Sequence, residues 1–213
     1  MASRQLALFD FDGTMIKGDS INTLVRCFRE GGLLSFRGHL RLGLMALLWK
    51  MGLLQVEKVK TMALSPLNQL SALEAQSFLQ AFVKENLLPN LYRDAMEQMN
   101  RHAERGDVVL LVSASPLCYL QYLSEVMPVS GILGTQTDEH NQVTRNIVKE
   151  EKVLQIRQWL NEHGIYADWE NSAAYGDSAN DLPMLNLTGN RFLINPDAKA
   201  IRLGSGIPVK RWV

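Results

Sequence analysis

The sequence predicts an α/β fold, a doubly wound parallel sheet with an all-helical insertion after its first strand. Three observations predict it. Short apolar runs of strand length at 6–9, 107–113 and 172–175 each lead into polar residues. The later runs alternate with helical patterns, which builds a parallel sheet with right-handed crossovers. Residues 17–86 carry helical patterns and no convincing strand. The expectation is a Rossmann-like core from residues 1–16 and 87–213, with a small helical cap at 17–86.

The first strand is Leu6, Ala7, Leu8 and Phe9, a continuous apolar run that suits a strand buried on both faces. Asp10 and Asp12 follow it, where open α/β sheets bind ligands. In extended backbone their side chains would share a face, and two adjacent carboxylates are tolerable only with a cation between them or a proton on one. Gly13 permits a sharp turn and Thr14 supplies a hydroxyl. Next, Ile21, Leu24, Val25 and Phe28 form a helical apolar stripe behind Ser20, stopped by Gly31 and Gly32. Ser71 and Glu74 have capping-box spacing and open a helix through about Glu85.

Pro89 starts a further helix that ends near Gly106, and the buried strand 107–113 follows. Pro116 fits the first turn of the next helix. A short strand at 131–134 leads to a polar hairpin or irregular loop over 135–147. A helix over 150–163 stops at Gly164, the strand 172–175 runs into Gly176 and Asp177, and 192–194 is the last strand.

Composition limits the function. The chain has 213 residues, enough for one substantial core with an insertion. Lysine plus arginine equals aspartate plus glutamate at 22 each, which argues against a nucleic-acid binder. Cys27 and Cys118 are too few for a disulfide framework and read as buried, inert thiols. The stretch from Met1 to Gln5 has no apolar leader, so a cytoplasmic protein is expected. As for assembly, a monomer or a homodimer is expected.

Four groups of residues carry the chemistry. Asp10 and Asp12 are the first. Ser113 ends an apolar strand, and its hydroxyl, with the amides beyond it at Ala114, can donate to phosphate oxygens; Ser115 has the same chemistry. Lys152 faces Ile156 and Leu160 at helical spacing, with Lys149 one turn earlier in reserve. Asp177 and Asp181, at i and i+4, can point to one site, with Asn180 beside them. A cluster of carboxylate oxygens suits Mg2+.

The stretch Asp10-Phe11-Asp12-Gly13-Thr14, then Ser113, then Lys152, then Gly176-Asp177-Ser178-Ala179-Asn180-Asp181, in that order, resembles the haloacid dehalogenase superfamily. The likeness spans most of the chain and is nearest the phosphoserine phosphatase-like branch (subfamily IB), with its helical cap and with Asn195-Pro196-Asp197 after a late strand. The resemblance implies a Mg2+-dependent phosphatase of a small phosphorylated metabolite. It implies Asp10 as nucleophile, passing through an aspartyl-phosphate, and Asp12 as acid and base. It implies metal contacts from Asp10, the Asp12 carbonyl, Asp177 and Asp181, and phosphate contacts from Ser113, Ala114, Lys152 and Asn180. A phosphotransferase using an alcohol acceptor and an inactive binding protein are the alternatives. Two departures point away from phosphoserine itself. Asp19 stands where that branch has a glutamate, and 60–73 offers no arginine for a substrate carboxylate.

Residues 33–54 are the most apolar part of the cap, interrupted by Arg37, His39, Arg41 and Lys50. The favoured reading is ordinary cap core with a solvated basic edge. The sharper one is a surface for a lipid-like group or a membrane face.

Overall fold

The computed structural model describes residues 3–213; Met1 and Ala2, counted in the first core segment, lie outside them. Seven strands form one sheet in the order β4-β3-β2-β1-β5-β6-β7. Strand β1 (Leu6–Phe9) is central and wholly buried. It pairs in parallel with β2 (Val108–Pro116) on one side and β5 (Ala173–Gly176) on the other. Beyond β2 lies β3 (Gly131–Thr137), which turns back antiparallel into β4 (Val143–Arg145), so the polar segment is a hairpin. Beyond β5 lie β6 (Asn190–Ile194) and β7 (Val209–Lys210), both parallel. The last strand is therefore β7, not 192–194. Two residues at a sheet edge carry too little pattern to be read from sequence.

Alternation along β1 divides the core. Ala7 and Phe9 pack on one face with Leu24, Phe28, Ala95 and Met99. Leu6 and Leu8 pack on the other with Ile156, Leu160, Met184 and Leu185. Connections leave β1 toward β2 on one side and return to β5 on the other. The carboxyl end of β1 is thus the topological switch point, where such sheets open a crevice.

Four helices fall between β1 and residue 83. Helix α1 (Ser20–Glu30) is capped by Asp19, whose carboxylate accepts from the Asn22 amide, so the cap lies one residue before Ser20. Helices α2 (Phe36–Lys50) and α3 (Val56–Leu64) form a packed pair. Helix α4 (Ala72–Phe82) has the expected capping box at Ser71 and Glu74, then widens into a π-type turn over Val83–Leu87 rather than continuing as α-helix. Pro89 sits in a 3-10 turn, Leu88–Asn90, and helix α5 (Arg93–Glu104) starts only after it. The remaining helices are α6 (Leu117–Leu120), α7 (Glu150–Glu162), α8 (Leu182–Leu185) and α9 (Ala198–Leu203). Pro116 precedes α6 and ends the β2 ladder. Among the described residues, no helix is long and apolar enough to cross a membrane.

One expectation fails in the cap. Only Leu42 of α2 is fully buried, while Phe36, Leu40, Leu44 and Leu47 are each more than half exposed. Composition made 33–54 look like core, but α2 has a neighbour on one side only.

Candidate active site

Asp10 leaves β1 at the switch point, its amide donating to the Tyr175 carbonyl of β5 at 2.9 Å. Its carboxylate lies within 4.8 Å of those of Asp177 and Asp181. Lys152, on the first turn of α7 and wholly buried, donates to Asp10 Oδ1 at 2.5 Å and to Asp181 Oδ1 at 2.6 Å. Lys149 is exposed at the start of α7, so Lys152 is the lysine that reaches the site.

Two glycines make the cluster possible. A Cβ on Gly13, whose φ is +75°, would overlap the Asp177 carboxylate; one on Gly176 would overlap the Asp181 side chain.

Asp12 departs from the expected geometry. Its carboxylate does not join the other three but turns toward α1 and β2. It accepts from the Ser20 amide at 2.7 Å, the Ser20 hydroxyl at 3.1 Å and the Ser115 hydroxyl. The chain turns between Asp10 and Asp12, so the shared face of an extended strand does not form. The cluster holds three carboxylates, not four.

Ser113 is buried, and its oxygen accepts from the Ser115 amide at 3.0 Å. The β2–β3 register shifts between Val112 and Pro116, so 113–115 bend out of the ladder toward the site. Ser113, Ala114, Lys152, Asp177, Asn180 and Asp181 line one cavity of about 280 Å3 with Asp10 and Asp12.

Charges in the site are strongly perturbed. Burial pushes Asp10 up to about 7, aided by repulsion from Asp181 and opposed by Lys152. Burial, then the charges of Asp10 and Asp181, push Asp177 up to about 9. Burial would raise Asp181 too, but Lys152 and two donors from Ser178 hold it below the usual carboxylate range. Burial alone would lower Lys152; its two carboxylate partners keep it above an ordinary lysine. Asp12, raised by burial and by Asp19, stands at about 6.

Ionised together, these three carboxylates would carry more negative charge than one lysine neutralises, which, on top of burial, is why two of them hold their protons to higher pH. Hard oxygen donors with that surplus fit a hard divalent cation such as Mg2+. Cys118 is pushed up to about 12 by burial, as befits an inert thiol.

A family model described as haloacid dehalogenase-like hydrolase matches residues 7–186. The chain belongs to that family. Proteins named as phosphatases are among those it is similar to. A histidinol-phosphatase of Neisseria meningitidis serogroup C is 27% identical over 215 residues, covering 92% of each chain. A solved protein of unknown function from Bordetella pertussis superposes with a TM-score of 0.85 at 24% identity, covering 98% of both chains. A phosphoserine phosphatase, solved as a phospho-aspartyl intermediate analogue, superposes at 0.64 with 19% identity, covering 98% of this chain and 94% of that one. These two structures show that the hydrolase has their fold.

Sequence reasoning gives no site role to three residues, Ser20, Tyr119 and Lys60, and a different one to a fourth, Ser115. Ser20, Ser115 and Tyr119 form a buried hydroxyl network around Asp12, with Ser20 Oγ 2.8 Å from Ser115 Oγ and 2.7 Å from the Tyr119 hydroxyl. Ser115 was noted only as a neighbour of Ser113. Lys60 of α3 reaches the cavity from the cap and donates to the Ala114 carbonyl and Asn146 Oδ1, each at 2.6 Å. Burial lowers it to about 8. The stretch 60–73 has no arginine, and the cationic group it brings to the cavity is this lysine. Nothing local marks it, because its role depends on α3 facing the end of β2.

Proposed function

We propose that the hydrolase is a Mg2+-dependent phosphatase that cleaves a small phosphate monoester through an aspartyl-phosphate on Asp10. The observation that carries this reading is Asp10 itself. It sits at the end of β1, paired with Lys152 and within 4.8 Å of two further carboxylates, while a separately held Asp12 stands two residues on. Bound Mg2+ would neutralise charge between these carboxylates and the phosphate and act as a Lewis acid.

The residues divide the work as follows. Asp10 attacks phosphorus and the ester oxygen leaves. Asp12, protonated at about pH 6 and below, delivers a proton to that oxygen. Water then attacks the same phosphorus, giving its proton to Asp12 and releasing inorganic phosphate and Asp10. The Ser20 amide and the Ser20 and Ser115 hydroxyls fix the Asp12 carboxyl between the two steps. Asp10, Asp177, Asp181 and the Asp12 carbonyl would hold the metal. Lys152, Ser113, the Ala114 amide and Asn180 would bind the phosphate oxygens.

The segment 17–86 serves in this reading as the cap that selects the organic group. A second cavity of about 250 Å3, walled by Ile21, Val25, Leu42, Ala46, Val59 and Ala63, shares Asp19, Trp49, Val56 and Lys60 with the catalytic one. Its lining suits an ester with an apolar body, and Asp19 suits a cationic group such as an amine. The Neisseria relative is named for histidinol phosphate, which carries an amine beside a flat imidazole ring, and that ester is the first to test. Two free, half-buried thiols suit a reducing, cytoplasmic setting.

The test is phosphate release from a panel containing histidinol phosphate, phosphoserine, alkyl phosphates and lipid phosphates, with Mg2+ and with chelator. Beryllium fluoride trapping should place the adduct on Asp10. An Asp10→Asn enzyme with near wild-type turnover would overturn the reading. Release without any alcohol acceptor separates hydrolysis from phosphotransfer.

A further inference from the structure

Helix α2 has an inner and an outer side. Leu42, Ala46 and Trp49 point inward and line the cap cavity. At about 100° per residue, Phe36, Leu40, Leu44, Leu47 and Met51 fall on one outer arc of roughly 80°. Each is more than half exposed, and Leu53, in the turn that follows, extends the same apolar surface. Five exposed apolar side chains aligned along one helix face, with basic residues beside them, mark an interaction site.

The charges around the arc restrict what covers it. Arg37 and Arg41 flank one edge, and Lys50, which also lines the cap cavity, lies beyond the other. From 31 to 56 there is no aspartate or glutamate. A second copy of the chain, laid two-fold against this face, would bring basic rim to basic rim with no acidic residue in the segment to answer it. An anionic lipid surface meets both features, since hydrocarbon takes the arc and headgroups take the rims. The 15-residue helix is too short to span a bilayer but long enough to lie in its interface.

We propose that the outer face of α2 docks the protein onto anionic membrane surfaces. Trp49, at the inner side of the same helix, lines the catalytic cavity, so docking brings the site's mouth within one helix diameter of the lipid. The proposal is independent of the reaction and stands whichever ester is cleaved.

The experiment is co-sedimentation of the full chain with phosphatidylcholine vesicles, with and without phosphatidylglycerol, at low and high salt. Binding is expected only to the anionic vesicles and is weakened by salt. Leu44→Glu with Leu47→Glu should abolish it. Arg37→Gln with Arg41→Gln should weaken it roughly 30-fold, two basic contacts being lost. Both variants should hydrolyse a soluble ester as the wild type does and melt at the same temperature. If the leucine pair fails to fold, the arginine pair decides alone. No sedimentation with anionic vesicles at low salt would overturn the proposal. So would equal binding to neutral vesicles, or a wild-type dimer in light scattering that the leucine pair splits, which would assign the face to a second copy.

Discussion

Lys152 reaches Asp10 and Asp181 at 2.5 and 2.6 Å and has no exposed surface to speak of. Leu40, Leu44 and Leu47 of α2 stand in the open. Both regions break the usual rule for their residue types, and for opposite reasons. At the end of β1, charged groups are buried around one lysine, so removing Lys152 leaves its two carboxylate partners uncompensated. On α2, apolar groups are left uncovered, so changing one costs the fold little. Constraint by neighbours marks the chemistry, and freedom from neighbours marks the surface available to a partner.

The strongest way to break that contrast is Lys152→Met. It strands two buried carboxylates, and a loss of about 3–5 kcal/mol in denaturant unfolding is expected, with nearly all activity. A variant as stable as wild type would mean that the carboxylates do not depend on the lysine. Within the cap, Leu42→Ala should cost about 2–3 kcal/mol because Leu42 is buried. Leu44→Ala, one turn face away, should stay within about 0.5 kcal/mol. Similar costs at the two positions would show that the outer face is covered in solution.

Asp177→Asn sharpens the comparison from the side of charge. Asp177 titrates at about 9 instead of 3.8, so the fold disfavours its ionised form. Metal-free stability should therefore fall as pH rises from about 4 to 9; Asp177→Asn should remove the part of that fall between about pH 7 and 9, where Asp10 and Asp12 no longer titrate. Mg2+ should raise the melting temperature of the wild type and not of the variant. A Mg2+-induced shift that survives the substitution would remove Asp177 from the metal site.

The smallest effect is expected at His102, at the opposite end of the sheet. Its Nδ1 lies 2.7 Å from Asp107 and its Nε2 2.9 Å from the Tyr175 hydroxyl. Burial lowers it below its ordinary 6.5, with Arg105 and Arg101 adding to the shift. Protonation is then disfavoured in the fold, so the contribution is full above pH 6.5 and lost as pH falls below it. His102→Gln should flatten the stability profile between about pH 5 and 7. An unchanged profile would place the acid sensitivity elsewhere.

Much of this was legible because the informative residues lie beside strand ends. Asp10, Ser113 and Asp177 each close an apolar run, and a run of that kind gives both the strand and the end at which ligands gather. Lys152 is preferred to Lys149 in the sequence by its helical spacing to Ile156 and Leu160, and in the fold Lys152 is buried while Lys149 is exposed. Strand periodicity does not carry through the turn after Phe9, and the Asp12 carboxylate bonds Ser20 and Ser115 instead of facing the other carboxylates.

By itself, then, the sequence determined the parallel α/β core, the helical insertion, and Asp10, Ser113, Lys152, Asp177 and Asp181 as residues of one site. Strand and helix periods, and residues placed at the ends of those elements, are local quantities that a chain states directly. Only the tertiary structure decided that Asp12 stands apart in a ring of Ser20, Ser115 and Tyr119, that Lys60 enters from the cap, and that the apolar helix α2 is covered on one side alone. The Ser20–Ser115, Ser20–Tyr119 and Lys60–Ala114 contacts join residues 54 to 99 apart in the chain, a separation that leaves no trace in local pattern.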